Sequence, residues 1–468
     1  MSSQPATERR NATVCPADAG KPRDAFTTSL GIIAATLGSA VGLGNIWKFP
    51  SLTGANGGAA FLVIYLVSTL LVGLPVMISE LMLGRQAKSD AITTLRTLAP
   101  RRQPWWLVGA AGALAAFLIL AFYTEVAGWV FAYIVKAAAG GLLTTDPAVT
   151  SKAFTILVAD PAQSLFWQWL VLAVIGSIIV LGVSKGIEKT TKRLMPVLFL
   201  LLVAIGVRSL TLPGASAGLA FLFRPDFSKV TGTTILTAMG LSFFKLSTGM
   251  GTMITYGSYF RDDQNVPMTA IRVMLADLTV SLLAGIAVFP AVFAFGFKPE
   301  AGPSLLFITI PAVFAAMPFG SVFMVLFFIL AAIAATGAML SLLEVPVAFL
   351  HEHFCLPRLK ATAITVLLLG LLGSTAALSG SVLATVTPFG MTFFDLYDFL
   401  TSNLLLPVGG MMICIFTGWV YGFGRVEEAL SNGGVIANAR VIRIFFGIVK
   451  FISPLLVLTI LLKGLKVF

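Results

Sequence analysis

Runs of about twenty predominantly apolar residues, each long enough to cross the hydrocarbon core of a bilayer as a helix, recur eleven times along this chain. They cover approximately residues 26–49, 59–83, 105–138, 164–183, 194–212, 233–260, 268–295, 321–349, 361–377, 392–423 and 441–465. Lipid offers no partner to a backbone N–H or C=O, so only helices and closed barrels can span it. Runs of this length select the helix, and the expectation is an all-α integral membrane protein with eleven transmembrane helices. Charged residues make up 11% of the sequence, against about 25% in soluble domains, which excludes a water-soluble enzyme or a nucleic-acid binder. The net charge of +11 follows from topology, because Lys and Arg collect in cytoplasmic loops. If the spans alternate, the clusters at Arg9, Arg10, Lys21 and Arg23, at Arg85 and Lys88, at Lys185 to Arg193, and at Arg425, Arg440 and Arg443 all fall on one side. The expected location is therefore the inner (plasma) membrane, with a cytoplasmic N-terminus and an outer C-terminus.

Two of the spans are poorly made as helices, and they lie five spans apart. The first contains Gly38, Gly42 and Gly44; the sixth contains Gly249 and Gly251 after Ser247 and Thr248. Glycine inside a helix costs roughly 1 kcal/mol per position. A matched pair of glycine-interrupted spans is the signature of a transporter built from inverted repeats, with its binding site near the midplane. Close helix packing through small residues is the alternative. The repeat reading divides the chain into a cytoplasmic segment 1–25, a first repeat 26–212 (spans 1–5), a second repeat 213–423 (spans 6–10), and a loop with span 11 at 424–468.

Several motifs carry a resemblance. The run Gly42-Leu43-Gly44-Asn45-Ile46-Trp47-Lys48-Phe49-Pro50 is followed by Asn56-Gly57-Gly58-Ala59-Ala60-Phe61, by Gly73-Leu74-Pro75 with Glu80, by Ser184-Lys185-Gly186-Ile187-Glu188 and by Ile254-Thr255-Tyr256-Gly257-Ser258-Tyr259. Together they resemble the neurotransmitter:sodium symporter family, in a bacterial eleven-span form with the leucine-transporter-type fold. The resemblance implies a 5+5 inverted repeat, unwound first and sixth spans, and alternating access to a central site. It places Ser39, Ala40, Leu43, Gly44, Ile119, Tyr123, Phe244, Ser247, Met250, Ala338 and Leu342 at the substrate. Leu43 and Gly44 would offer amides, Tyr123 and Ser247 hydroxyls, and Phe244 a lid. The same side chains on facing helices also suit an ordinary bundle core. Lys48 and Asp398 correspond to an outer ion-pair gate, and Arg23 and Glu352, helped by Tyr259, to an inner one. Glu80 matches a support for the unwound backbone.

The sequence departs from that family at its ion sites. Positions of the first sodium site are Ala40, Asn45, Lys245 and Asp277, where Lys replaces an expected hydroxyl residue and Asp an expected Asn. An ammonium can sit where a cation bound, and an intramembrane Lys needs a partner; the expectation is a Lys245–Asp277 pair. At the second site Gly337 and Ala338 stand where hydroxyls belong, although a hard cation needs a shell of oxygens. Tyr65 and Ser281 keep a chloride position that Asp277 already supplies with negative charge. Neither sodium nor chloride is therefore expected as a partner, no cofactor or metal is implied, and the protein is not read as an enzyme. The expected function is secondary-active transport of a small apolar or aromatic substrate, indole-like or an aromatic or aliphatic amino acid, coupled to protons through Lys245 and Asp277. A static Lys245–Asp277 strut, a sodium-coupled amino-acid symporter with degenerate sites, and a membrane sensor on the same fold remain the alternatives.

Overall fold

The computed structural model describes residues 23–296 and 305–467, and every regular element among them is helical. Arg9, Arg10, Lys21 and most of segment 1–25 lie outside the described residues. Among the described residues nine helices are long and apolar enough to cross a membrane, from Ala59–Ala87 to Ala439–Gly464. A tenth crossing is a bent pair, Ser29–Ala40 and Gly44–Ala55, whose axes meet at 55°. The sixth expected span is two shorter helices, Gly232–Lys245 and Thr252–Ser258, separated by residues 246–251.

Each break has a local cause. Thr28 caps the first helix by accepting from Gly31 N, and that helix ends when Val41 turns to φ −84°, ψ 102°. In the sixth span Ser247, Gly249 and Gly251 take φ of 52°, 81° and 75°, left-handed backbone that glycine adopts at no steric cost. A Cβ built on Gly249 would lie 2.6 Å from Leu406 O, so the close approach of span 10 also requires glycine there. The freed backbone is then satisfied internally. The Gly249 amide donates to Glu80 Oε1 at 2.7 Å, Thr248 Oγ1 donates to Phe243 O at 2.9 Å, and Thr252 Oγ1 to Ser247 O at 2.7 Å.

The long helices Trp106–Ala138 and Gly320–His353 pack along each other and against the broken pair, which brings spans 1, 3, 6 and 8 together at mid-depth. Two further helices, Pro147–Ala159 and Leu305–Ala315, were not among the expected elements. They pack together through Phe154 and Phe307, stacked at 4.9 Å.

Candidate functional site

Both breaks open onto one cavity, with an empty volume of about 390 Å³ that includes space open to solvent. Ser39, Ala40 and Gly44 line it from span 1, Ile119 and Tyr123 from span 3, Phe244, Ser247 and Met250 from span 6, and Ala338 and Leu342 from span 8. Gly42 and Lys245 line it as well, and the sequence reading had not placed them there. Leu43 is the exception among the expected residues. Its amide donates to Tyr123 Oη at 2.9 Å, so it is not open to a substrate as expected. The bond fixes the Tyr123 hydroxyl as acceptor towards Leu43 and leaves its O–H to donate into the cavity.

Ser247 was expected to supply a hydroxyl. Its hydroxyl donates to Ser39 O at 2.8 Å across the two breaks, so what it offers a ligand is a lone pair. Ser39 Oγ in turn donates to Ser341 Oγ at 2.8 Å, tying span 1 to span 8. Apart from Lys245, whose ammonium is held by Asp277, the remaining lining is apolar side chains and glycine. The cavity thus presents one free O–H donor, one hydroxyl acceptor and an apolar compartment of Ile119, Met250, Ala338 and Leu342.

Beside this cavity lies a buried charge cluster. Lys245 Nζ is 3.0 Å from Asp277 Oδ2, with side-chain exposures of 0% and 1%. It also donates to Tyr65 Oη at 3.1 Å and to Ser281 Oγ. The rings of Phe49 and Tyr65 lie 4.9 and 5.0 Å from the ammonium. Asn45 Nδ2 donates to the other carboxylate oxygen, Asp277 Oδ1, at 2.6 Å. The ammonium therefore sits among the oxygens of Asp277, Tyr65 and Ser281. The sequence points to the pair and puts Tyr65 and Ser281 beside Asp277 as a chloride position; that both accept from the Lys245 ammonium is not legible, since nothing in the sequence gives the distance from span 2 to span 6.

At the second expected cation position, Gly337 packs directly on span 1. A Cβ built on it would lie 2.7 Å from Gly38 O and 3.3 Å from Gly38 Cα. The backbones are in contact where a hydroxyl-bearing side chain would need room.

The two residue pairs expected to act as gates differ in the structure. At the inner end Arg23 holds Glu352 Oε1 through Nε at 2.9 Å and Nη2 at 2.5 Å, and Ser258 O through Nη1 at 2.9 Å. Its guanidinium lies 4.7 Å from the Tyr259 ring centroid. Burial disfavours the Arg23 charge, but Glu352 and Tyr259 outweigh that, and its pKa is raised. Tyr259 Oη donates to Glu344 Oε1 at 2.7 Å, and Arg358, not foreseen, holds Glu344 Oε2 at 2.5 Å.

At the outer end the expected Lys48–Asp398 bridge is not formed. Lys48 Nζ lies over the Phe244 ring at 4.2 Å, and Asp398 Oδ1 accepts from Ser402 Oγ at 2.9 Å. Of the two expected ion pairs, Arg23–Glu352 is therefore formed and Lys48–Asp398 is not, and Lys48 lies over the Phe244 ring that lines the cavity.

A family model described as the sodium:neurotransmitter symporter family matches residues 23–147 and 159–468. The chain is 39% identical over 438 residues to the sodium-dependent transporter YhdH of Bacillus subtilis, covering 94% of this chain and 97% of that protein. It is 33% identical over 455 residues to a sodium-dependent transporter of Haemophilus influenzae, covering 95% and 99%. Among solved structures it is similar to MhsT in complex with L-phenylalanine, with a TM-score of 0.86 and 41% identity, covering 95% of this chain and all of that one.

Proposed function

This chain belongs to the sodium:neurotransmitter symporter family, and on that premise we propose that it carries an apolar L-amino acid, aromatic ones foremost, across the plasma membrane with protons in place of sodium. The observation that carries the proposal is the Lys245–Asp277 pair, 3.0 Å apart and fully buried. A tethered ammonium fills the first cation site permanently, so a free ion has nothing to neutralise there. Contact between Gly337 and Gly38 denies the second site its side-chain oxygens.

The coupling follows from what holds each charge. Protonating Asp277 leaves Lys245 with the neutral oxygens of Tyr65 and Ser281, while deprotonating Lys245 leaves Asp277 with Asn45. These groups come from spans 1, 2, 6 and 7, two of which are broken beside the cavity. Either change alters the attraction between moving elements, and charge loss inside a low-dielectric interior is worth several kcal/mol. The inner pair faces the cytoplasm in this reading, as do the N-terminus and the basic loops.

For the substrate, the free Tyr123 O–H suits a carboxylate, and the Ser247 lone pair suits an ammonium or ring N–H. With Lys245 and Asp277 cancelling each other, the site has no local net charge, which matches a zwitterion. The L-phenylalanine of the MhsT complex supports the amino acid over indole, which fits the same apolar compartment but has no group for Tyr123.

A second reading is sodium-coupled amino-acid symport. It is favoured by the names of the relatives, since YhdH of Bacillus subtilis and the Haemophilus influenzae protein are both named sodium-dependent transporters. Uptake of labelled L-phenylalanine into proteoliposomes, with sodium replaced by choline at constant pH, separates the two. The proposal expects a change within about twofold; abolished uptake establishes the second reading.

A further inference from the structure

Span 11 carries a lysine that the transport site does not use. Lys450 lies within the apolar helix Ala439–Gly464, eleven residues past its start. Among the described residues no carboxylate lies within 4.0 Å of its Nζ. Three rings surround the ammonium instead, those of Trp419, Phe446 and Phe451, at 5.8, 5.8 and 5.5 Å. Ionisable residues in a membrane span are costly and mark function by default. An unpaired one held among aromatic rings implies a counter-charge from outside the chain.

The surroundings show what form that counter-charge takes. Arg443 precedes Lys450 by seven residues, close to two turns but offset by the wider π-turn that begins at Ile448, so the two lie on adjoining parts of the helix surface; Arg443 and Arg440 are exposed. Side chains on a helix lean towards its N-terminus, so the Lys450 stem carries its ammonium back towards the arginines and the headgroup level. Arg425, on the neighbouring helix Phe423–Leu430, is exposed and lies 4.8 Å from the Tyr421 ring. That helix also bears Glu427 and Glu428, so the two segments together carry four cations, Arg425, Arg440, Arg443 and Lys450, against two acids.

The cleft is built by close contact, because a Cβ on Gly418 would lie 2.9 Å from Lys450 Cα. Both helices widen into π-turns there, Phe416–Tyr421 and Ile448–Ile452. Beyond the ammonium the surface turns apolar, with Phe451 63%, Ile452 41% and Leu455 65% exposed. Cations at one level and exposed hydrocarbon just below it fit an amphiphile.

We propose that the cleft between spans 10 and 11 binds the headgroup of an anionic phospholipid through Lys450, Arg443 and Arg425, with an acyl chain along Phe451 and Leu455. With the proposed orientation, the lipid belongs to the cytoplasmic leaflet, where such basic clefts bind anionic headgroups.

Full-length protein in mixed micelles with equimolar phosphatidylglycerol and phosphatidylethanolamine tests this, with retained lipid counted by native mass spectrometry. Wild type should retain phosphatidylglycerol about tenfold over phosphatidylethanolamine. The double variant Lys450→Gln with Arg443→Gln should lower that preference by about an order of magnitude, each basic residue near the surface being worth roughly fivefold. Lys450→Arg should keep it, as should Arg208→Gln, which removes a charge from the opposite end. Equal retention of the two lipids by wild type overturns the proposal without any variant. So does an unchanged preference in the double variant, or displacement by millimolar inorganic phosphate, which would mark a site for a soluble anion. None of these outcomes depends on sodium or substrate, so the lipid site and the transport mechanism fail independently.

Discussion

Lys245→Thr, made alone and together with Asp277→Asn, examines whether the buried pair behaves as one unit. In the single variant Asp277 keeps Asn45 Nδ2 on Oδ1 at 2.6 Å, but Oδ2 is left with only Tyr65 Oη at 3.4 Å. Breaking a buried pair by removing one partner costs about 3–5 kcal/mol; the retained Asn45 bond puts this case near the lower end, about 3 kcal/mol. Asp277→Asn alone leaves the ammonium with Tyr65, Ser281 and two rings, a loss of similar size reduced by ring contacts worth about 0.5–2 kcal/mol. The double variant buries no charge and should lie within about 1 kcal/mol of wild type. A double-mutant cycle, read from unfolding in mixed detergent by circular dichroism, should therefore give a coupling of at least about 3 kcal/mol, the upper end for neighbouring residues. Additive losses, with coupling near zero, would refute the reasoning, because the two charges would then be held by other groups.

Further outcomes follow from the same geometry. Tyr123→Phe removes the O–H that faces the cavity and the acceptor for Leu43 N; it should weaken L-phenylalanine about tenfold, consistent with about 1–1.5 kcal/mol per hydrogen bond, and leave indole nearly unchanged in a competition binding assay. Arg23→Ala opens a half-buried pair worth about 1 kcal/mol, so labelling of a cysteine engineered below Tyr259 should rise about fivefold, whereas unchanged labelling would separate Arg23 from closure. Gly337→Ser places a Cβ against Gly38 O, and should lower thermal stability without creating a sodium response in uptake. Glu80→Ala removes the acceptor for the unwound Gly249 amide and should cost about 1–3 kcal/mol, while Glu80→Gln keeps an acceptor and should cost less, as measured by thermostability in detergent.

Much of this architecture is legible in the sequence because lipid leaves few choices. Apolar length reports spans, and clustered glycines report the two breaks, since a helix interior has little other use for Gly249 beside Gly251. Lys245 and Asp277 stand out for the same reason: a charge in an apolar run must be answered by another. Helices Pro147–Ala159 and Leu305–Ala315 fall below the length that marks a span. The first does carry a local signal, Asp146 capping Ala148 N with Pro147 at the first position. What the sequence hides is direction. Nothing in the sequence shows that the Ser247 hydroxyl donates to Ser39 O across the two breaks. Whether Lys48 reaches Asp398 or lies over Phe244 depends on the conformation of the outer vestibule. The oxygens around Lys245 come from two other spans, the second and the seventh, and distances between spans are not written in any local pattern.

The most direct test is uptake of L-phenylalanine into proteoliposomes prepared without sodium, driven by an imposed inward proton gradient and compared between wild type and Lys245→Thr with Asp277→Asn. The account predicts concentrative uptake by wild type that collapses when the gradient is dissipated, and a double variant that binds substrate yet ignores the gradient. Wild-type uptake that ignores the gradient and begins only when sodium is added would contradict it.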